Sequence, residues 1–191
     1  MSPKRDPKMP YRHDRFLGAT VVKLVPSWMT PNMITVFRFV ATPFVLWLLL
    51  AGHYGWGLVA FVSVAFTDAL DGSVARLRGL ISTWGTFYDP VADKLLIGSV
   101  VLLVVLPELP WILAAAIIGL EAFIMLGALF GRRRGRPISA NSYGKAKMFL
   151  QVVGVSLMIF AFTYPAILPV ALACLWASIP FAVASLFTYG L

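Results

Sequence analysis

Residues 68–93 read DALDGSVARLRGLISTWGTFYDPVAD and set four carboxylates, Asp68, Asp71, Asp89 and Asp93, inside an otherwise apolar sequence. Asp68 and Asp71 are three positions apart, Asp89 and Asp93 four apart. On two consecutive helices each pair therefore shares one helix face. Gly72, Ala75 and Arg76 follow the first pair, and Gly85 opens the second half. Small residues allow close backbone approach, and the planar guanidinium fork suits phosphate. Carboxylates at helix depth in lipid are costly unless they face an interior cavity and are paired or metal-bound. Arg76, Arg78 and Lys94 are too few to satisfy all four acids, so the stretch implies bound cations.

The donor set narrows the cation. Oxygen ligands without histidine or thiolate favour Mg²⁺, Mn²⁺ or Ca²⁺ over zinc or copper. Mg²⁺ or Mn²⁺ held by carboxylates, with substrate phosphates completing the shell, suits phosphoryl or phosphodiester transfer, and two ions could share that work. A carboxylate less committed to metal can accept the proton of an attacking hydroxyl.

The chain has 191 residues, 60% hydrophobic and 13% charged, with a mean hydropathy of +0.85. A soluble domain would be about 45–50% apolar and about 25% charged. The expected fold class is an all-α integral membrane protein, with a basic segment at 1–30 and a membrane domain at 31–191. A net charge of +8 does not point to nucleic acid, because the cations cluster between hydrophobic runs, as in cytoplasmic loops. The single cysteine, Cys174, excludes an internal disulfide and a Cys-pair zinc site. The N-terminal MSPKRDPKMPYRHDRF has no apolar run behind it, so no cleaved signal peptide is expected.

Within 1–30, residues 12–25 carry cations on one side and apolar residues on the other, which predicts a helix lying on an anionic leaflet. Six spans are predicted, at about 33–51, 58–77, 86–106, 111–130, 146–164 and 167–189, each near the ~20 residues a bilayer core requires. Thr30 before Pro31 suits the start of the first. Arg38 lies one to two turns inside it, either snorkelling to the headgroups or facing the same polar cavity as the aspartates. His53 falls in the first turn and reads as a solvated loop residue. Glu121, in the middle of the fourth span, reads as a further buried acid.

Charge placement tests the topology. With a cytoplasmic N-terminus, the connections near 79–85 and 131–147 are cytoplasmic too, and every Lys and Arg falls in or within about two turns of these three regions. The turns at 51–57, 107–110 and 163–167 contain none. Both termini and the aspartate stretch are then expected on the cytoplasmic side of the cell membrane, together with the basic loop holding Arg132, Arg133, Arg134, Arg136, Lys145 and Lys147.

The pattern Asp68-x2-Asp71-Gly72-x2-Ala75-Arg76-x8-Gly85-x3-Asp89-x3-Asp93 resembles, position for position, the signature of the CDP-alcohol phosphatidyltransferase family. That resemblance implies transfer of a phosphatidyl group from CDP-diacylglycerol to an alcohol with release of CMP. It implies that Asp68, Asp71 and Asp89 bind divalent metal and that Asp93 touches metal and acts as the base. Gly72, Ala75, Arg76 and Gly85 would line the CDP site, with Asn32 near the nucleotide. DPVADKLL, PNMITVFR and GKAKMFLQ further resemble the members whose acceptor is glycerol 3-phosphate. Arg38, Arg132, Lys145 and Lys147 are then the candidates to meet the acceptor or other anionic groups. Relatives that use inositol phosphate, or phosphatidylglycerol to form cardiolipin, share the signature and are the alternative.

Two other classes compete. A divalent-cation transporter would also need intramembrane carboxylates, but residues 33–106 and 111–189 show no inverted repeat, and beyond Asp93 the acids are Glu108 and Glu121. A noncatalytic lipid-binding scaffold needs no such spacing of acids. Small residues in spans 3 to 6 would allow close helix contact, and a homodimer is an expectation of that kind.

Overall fold

The computed structural model describes residues 30–78, 92, 94–133 and 142–188, except the side chains of 31, 68–78, 128–133 and 187–188. The interfacial helix expected at 12–25 lies outside these residues. All regular elements among the described residues are helical, as the apolar composition predicts. They fall in two compact units, Met1–Val100 and Val101–Leu191, described in turn.

In the first unit, α1 spans Pro31–Leu50. Thr30 caps it with extended backbone and accepts a hydrogen bond from the Met33 N–H at 3.4 Å, and Pro31 occupies the first turn, where its missing N–H costs nothing. The helix ends in a Schellman motif. The Gly52 N–H donates to the Leu49 carbonyl at 3.1 Å and the His53 N–H to the Leu48 carbonyl at 2.9 Å. Gly52 has φ +79°, the left-handed conformation that glycine adopts without a Cβ clash. The chain turns directly into α2, Tyr54–Arg78, which packs along α1. His53 is exposed in this turn, as expected. Buried Ile34, Val45, Leu48 and Leu49 of α1 and Phe61 and Val64 of α2 contribute to the interior. Residues 94–100 form a further helix, α3.

The second unit opens with a π-helical turn, Val101–Val105, followed by a 3-10 turn, Leu106–Glu108. An unbroken helix was expected to 106. Pro107 has no N–H to continue the ladder, and the helix widens ahead of it. Then come α4 (Trp111–Arg133), α5 (Ser142–Ala161), the 3-10 turn Pro165–Ile167 and α6 (Leu168–Thr188).

Helices α5 and α6 form the closest pair. On α5 the buried residues include Lys147, Gln151, Gly154, Met158 and Ala161; on α6 they are Ala171, Leu175, Ser178, Ala182 and Ser185. Both series alternate steps of four and three, the spacing of a left-handed helical seam. Small residues dominate it because lipid supplies no hydrophobic drive between helices, so close van der Waals contact must hold them. At Gly154 an added Cβ would lie 2.7 Å from Leu175 Cδ2.

Among the described residues, three helical stretches are long and apolar enough to cross a membrane: Asn32–Leu50, Ser142–Ala161 and Pro165–Leu186. Large apolar side chains also face outward, among them Val40, Leu50 and Phe149, as befits a surface in lipid. Exposed Trp47 and Trp56 flank the first turn, and Trp111 is 78% exposed at the start of α4. Tryptophan favours the membrane–water boundary.

Gly154→Val should loosen the α5–α6 contact and destabilise the chain by about 1–3 kcal/mol, as overpacking does. Thermal denaturation in detergent measures this; an unchanged midpoint would mean the seam is not close-packed at Gly154.

Candidate functional site

Five of the signature positions, 68, 71, 72, 75 and 76, lie in the last three turns of α2. At 3.6 residues per turn they fall within a sector of about 140° on the helix surface. The positions of Asp68 and Asp71 therefore share one side of one helix, as their spacing predicts, and those of Gly72, Ala75 and Arg76 fall on that side too. Gly85, Asp89 and Asp93 lie outside the described residues.

Asn32 sits half-buried in the first turn of α1. Arg38 is completely buried, and so is Thr35. Thr42, 2% exposed, donates its hydroxyl to the Arg38 carbonyl at 2.7 Å. Thr35, Arg38 and Thr42 are spaced by three and four, so α1 carries an inward polar stripe. The burial of Arg38 rules out its snorkelling to the headgroups, since the side chain does not reach outward.

Arg132 lies in the last turn of α4. Lys145 is exposed in the first turn of α5. Lys147, two residues on, is buried, with its side chain 7% exposed, and its ammonium is ion-paired and hydrogen-bonded to Glu121 Oε1. The Glu121 side chain is 35% exposed, so this acid is half-buried rather than buried as expected. Glu121 follows buried Leu113 and Ile117 at steps of four, which brings it to the inner edge of α4.

The sequence did not reveal that pairing. Its signal was available: one acid on the apolar stripe of α4 and one lysine on the inner face of α5, each needing a partner in a low-dielectric interior. Gln151, one turn beyond Lys147, is also buried, 8% exposed. The one cysteine, Cys174, is free and half-buried, in keeping with an apolar packing role.

Long apolar helices, one of them bearing acidic, small and guanidinium positions on one side, define a membrane protein of the all-helical class. The chain belongs to the CDP-alcohol phosphatidyltransferase family, whose model matches residues 28–184. A probable phosphatidylglycerophosphate synthase of Mycobacterium tuberculosis is 36% identical over 141 residues, 70% of this chain and 67% of that protein. A CDP-diacylglycerol–glycerol-3-phosphate 3-phosphatidyltransferase of Arabidopsis thaliana is 31% identical over 83% of this chain and 77% of its own. The Bacillus subtilis protein of the same description is 29% identical over 83% of this chain and 92% of its own. The chain is thus a phosphatidyltransferase of phospholipid biosynthesis.

Removing one partner of the α4–α5 ion pair should harm stability more than replacing both. Lys147→Met alone strands the carboxylate, whereas Lys147→Met with Glu121→Leu substitutes apolar contact for the pair. The double variant should melt no lower than Lys147→Met in detergent. Melting lower by the full sum of the two single effects would contradict the pairing.

Proposed function

We propose that this chain transfers the phosphatidyl group of CDP-diacylglycerol to glycerol 3-phosphate, giving phosphatidylglycerophosphate and CMP, in a divalent-metal-dependent reaction. The spaced pattern from Asp68 to Asp93 carries the reading, because it supplies carboxylate oxygens and a phosphate-binding arginine at the family's positions. The relatives named for glycerol 3-phosphate support the acceptor.

In this reading a hydroxyl oxygen of the acceptor attacks the phosphorus that bears diacylglycerol. The bond from that phosphorus to the bridging oxygen breaks, and CMP leaves with the electron pair. Asp93 takes the hydroxyl proton. Asp68, Asp71, Asp89 and Asp93 would hold two ions, Mg²⁺ or Mn²⁺; the donor set is all carboxylate, and positions 68 and 71 share a face of α2, which fits a hard cation. When bound, such ions neutralise the pyrophosphate and the departing phosphate. Arg76 takes donor phosphate oxygens, since its fork can bind two at once. Gly72, Ala75 and Gly85 leave room for the nucleotide, with Asn32 at its edge. Arg38, Arg132, Lys145 and Lys147 serve the anionic acceptor or headgroups.

The membrane arrangement belongs to the same proposal. Six spans cross the cell membrane, α2, the region about 86–106 and α4 adding to the three helices long enough by themselves. Both termini and the aspartates face the cytoplasm. The distribution of Lys and Arg supports this, and so do the exposed tryptophans at two of the three cation-free turns, 51–57 and 107–110.

Purified full-length chain given CDP-diacylglycerol, Mg²⁺ and glycerol 3-phosphate should release CMP. Asp93→Asn should abolish turnover while leaving CDP-diacylglycerol binding largely intact, because a carboxamide cannot accept the proton. Retained turnover removes Asp93 as the base. If no alcohol or sugar-phosphate acceptor elicits CMP and the protein instead carries Mn²⁺ into liposomes, the transport reading replaces this one.

A further inference from the structure

We propose that Glu121 is a positioning residue for the acceptor: through its ion pair it holds the Lys147 ammonium inside the second unit, facing the acceptor's phosphate. The inference rests on the reading of Lys147 as an acceptor-binding residue and adds a residue to which the family signature assigns no role.

Three observations lead to it. Lys145 and Lys147 lie two residues apart, yet one is exposed and the other buried. An orientation signal for membrane insertion needs charge and not burial. Lys145 meets that need; the burial of Lys147 asks for another cause. The position is also electrostatically unfavourable. Lys147 stands in the second turn of α5, near the positive end of the helix, and the first turn carries no acidic residue. The compensating carboxylate comes instead from α4, 26 residues earlier in the chain.

The third observation is the hydrogen-bond inventory. A lysine ammonium has three N–H donors. One goes to Glu121 Oε1, and Glu121 is the partner of Lys147 among the described residues. The remaining donors of this side chain, 7% exposed, have no acceptor among the described residues, so they are open to a ligand oxygen. Gln151 lies one turn further on the same inner face of α5, 8% exposed. A phosphomonoester, with its several acceptor oxygens, fits such a group of donors. Glu121, more exposed than the lysine it holds, serves at the rim.

The direction of the effect follows. Without Glu121 the buried ammonium is uncompensated, and its flexible stem swings out toward solvent. Deleting a negative charge near an anion site would by simple charge counting improve binding. Positioning predicts that binding worsens.

The test uses the full chain in detergent, with CMP release measured against glycerol 3-phosphate at saturating CDP-diacylglycerol and then the reverse. Lys147→Ala should raise the acceptor KM about tenfold or more, the effect of losing a charge-assisted hydrogen bond. Glu121→Ala should raise it by about fivefold or more on the same grounds, with the CDP-diacylglycerol KM and kcat nearly unchanged. Glu121→Gln, which keeps the shape and an accepting oxygen, should show a smaller rise; it carries the test if the alanine variant does not fold. Adding Glu121→Ala to Lys147→Ala should raise the acceptor KM no further. An unchanged acceptor KM in Lys147→Ala overturns the reading of Lys147 itself. A raised KM in Lys147→Ala beside an unchanged or lowered KM in both Glu121 variants overturns the positioning role alone.

Discussion

The cost of placing charge in a low-dielectric, apolar interior governs this molecule. Lipid offers no hydrogen bonds and little dielectric screening, so each ionisable group within a span must be matched or must serve chemistry. Among the described residues the constraint falls on two buried cations. Arg38 is sealed in the first unit on a stripe that also bears Thr35 and Thr42. Lys147 is matched by Glu121 across two helices of the second. The aspartates of the signature are the larger case of the same problem, and bound cations are the proposed solution.

Much of the fold was legible because its local signals agree. Thr30 and Pro31 marked a helix start, and the structure caps the helix there. The turn after Leu50 lies where the apolar run breaks, with Gly52 in the one backbone conformation that favours glycine. The widening at Val101–Val105 was not legible, because it arises from a proline beyond the segment and leaves no trace in hydrophobic periodicity. The seam between α5 and α6 was visible only as small residues. Its alternating spacing shows once burial separates the inner face from residues that are equally apolar and face lipid.

The candidate site divides in the same way. Asp68 and Asp71 could be placed on one face from spacing alone, because a helix fixes which positions are neighbours. The Glu121–Lys147 contact spans 26 positions, and no local pattern encodes a partner at that distance. It also changes what a cationic stretch means. Of two lysines that look equivalent in GKAKMFLQ, one is exposed and the other is a buried, directed donor. The bond-making pattern and the groups proposed to select the acceptor lie in separate parts of the sequence, which is why family membership alone leaves the acceptor to be read from α4 and α5.

The central claim is that the aspartates hold the cations on which phosphatidyl transfer depends. Electron paramagnetic resonance of Mn²⁺, titrated into the full chain with CDP-diacylglycerol present, counts those ions directly. The account predicts saturable binding of about two ions per chain, the number a two-metal phosphotransfer site holds, and loss of that binding in Asp68→Asn with Asp71→Asn. Absence of saturable Mn²⁺ binding, or binding unchanged by the double substitution, would contradict it.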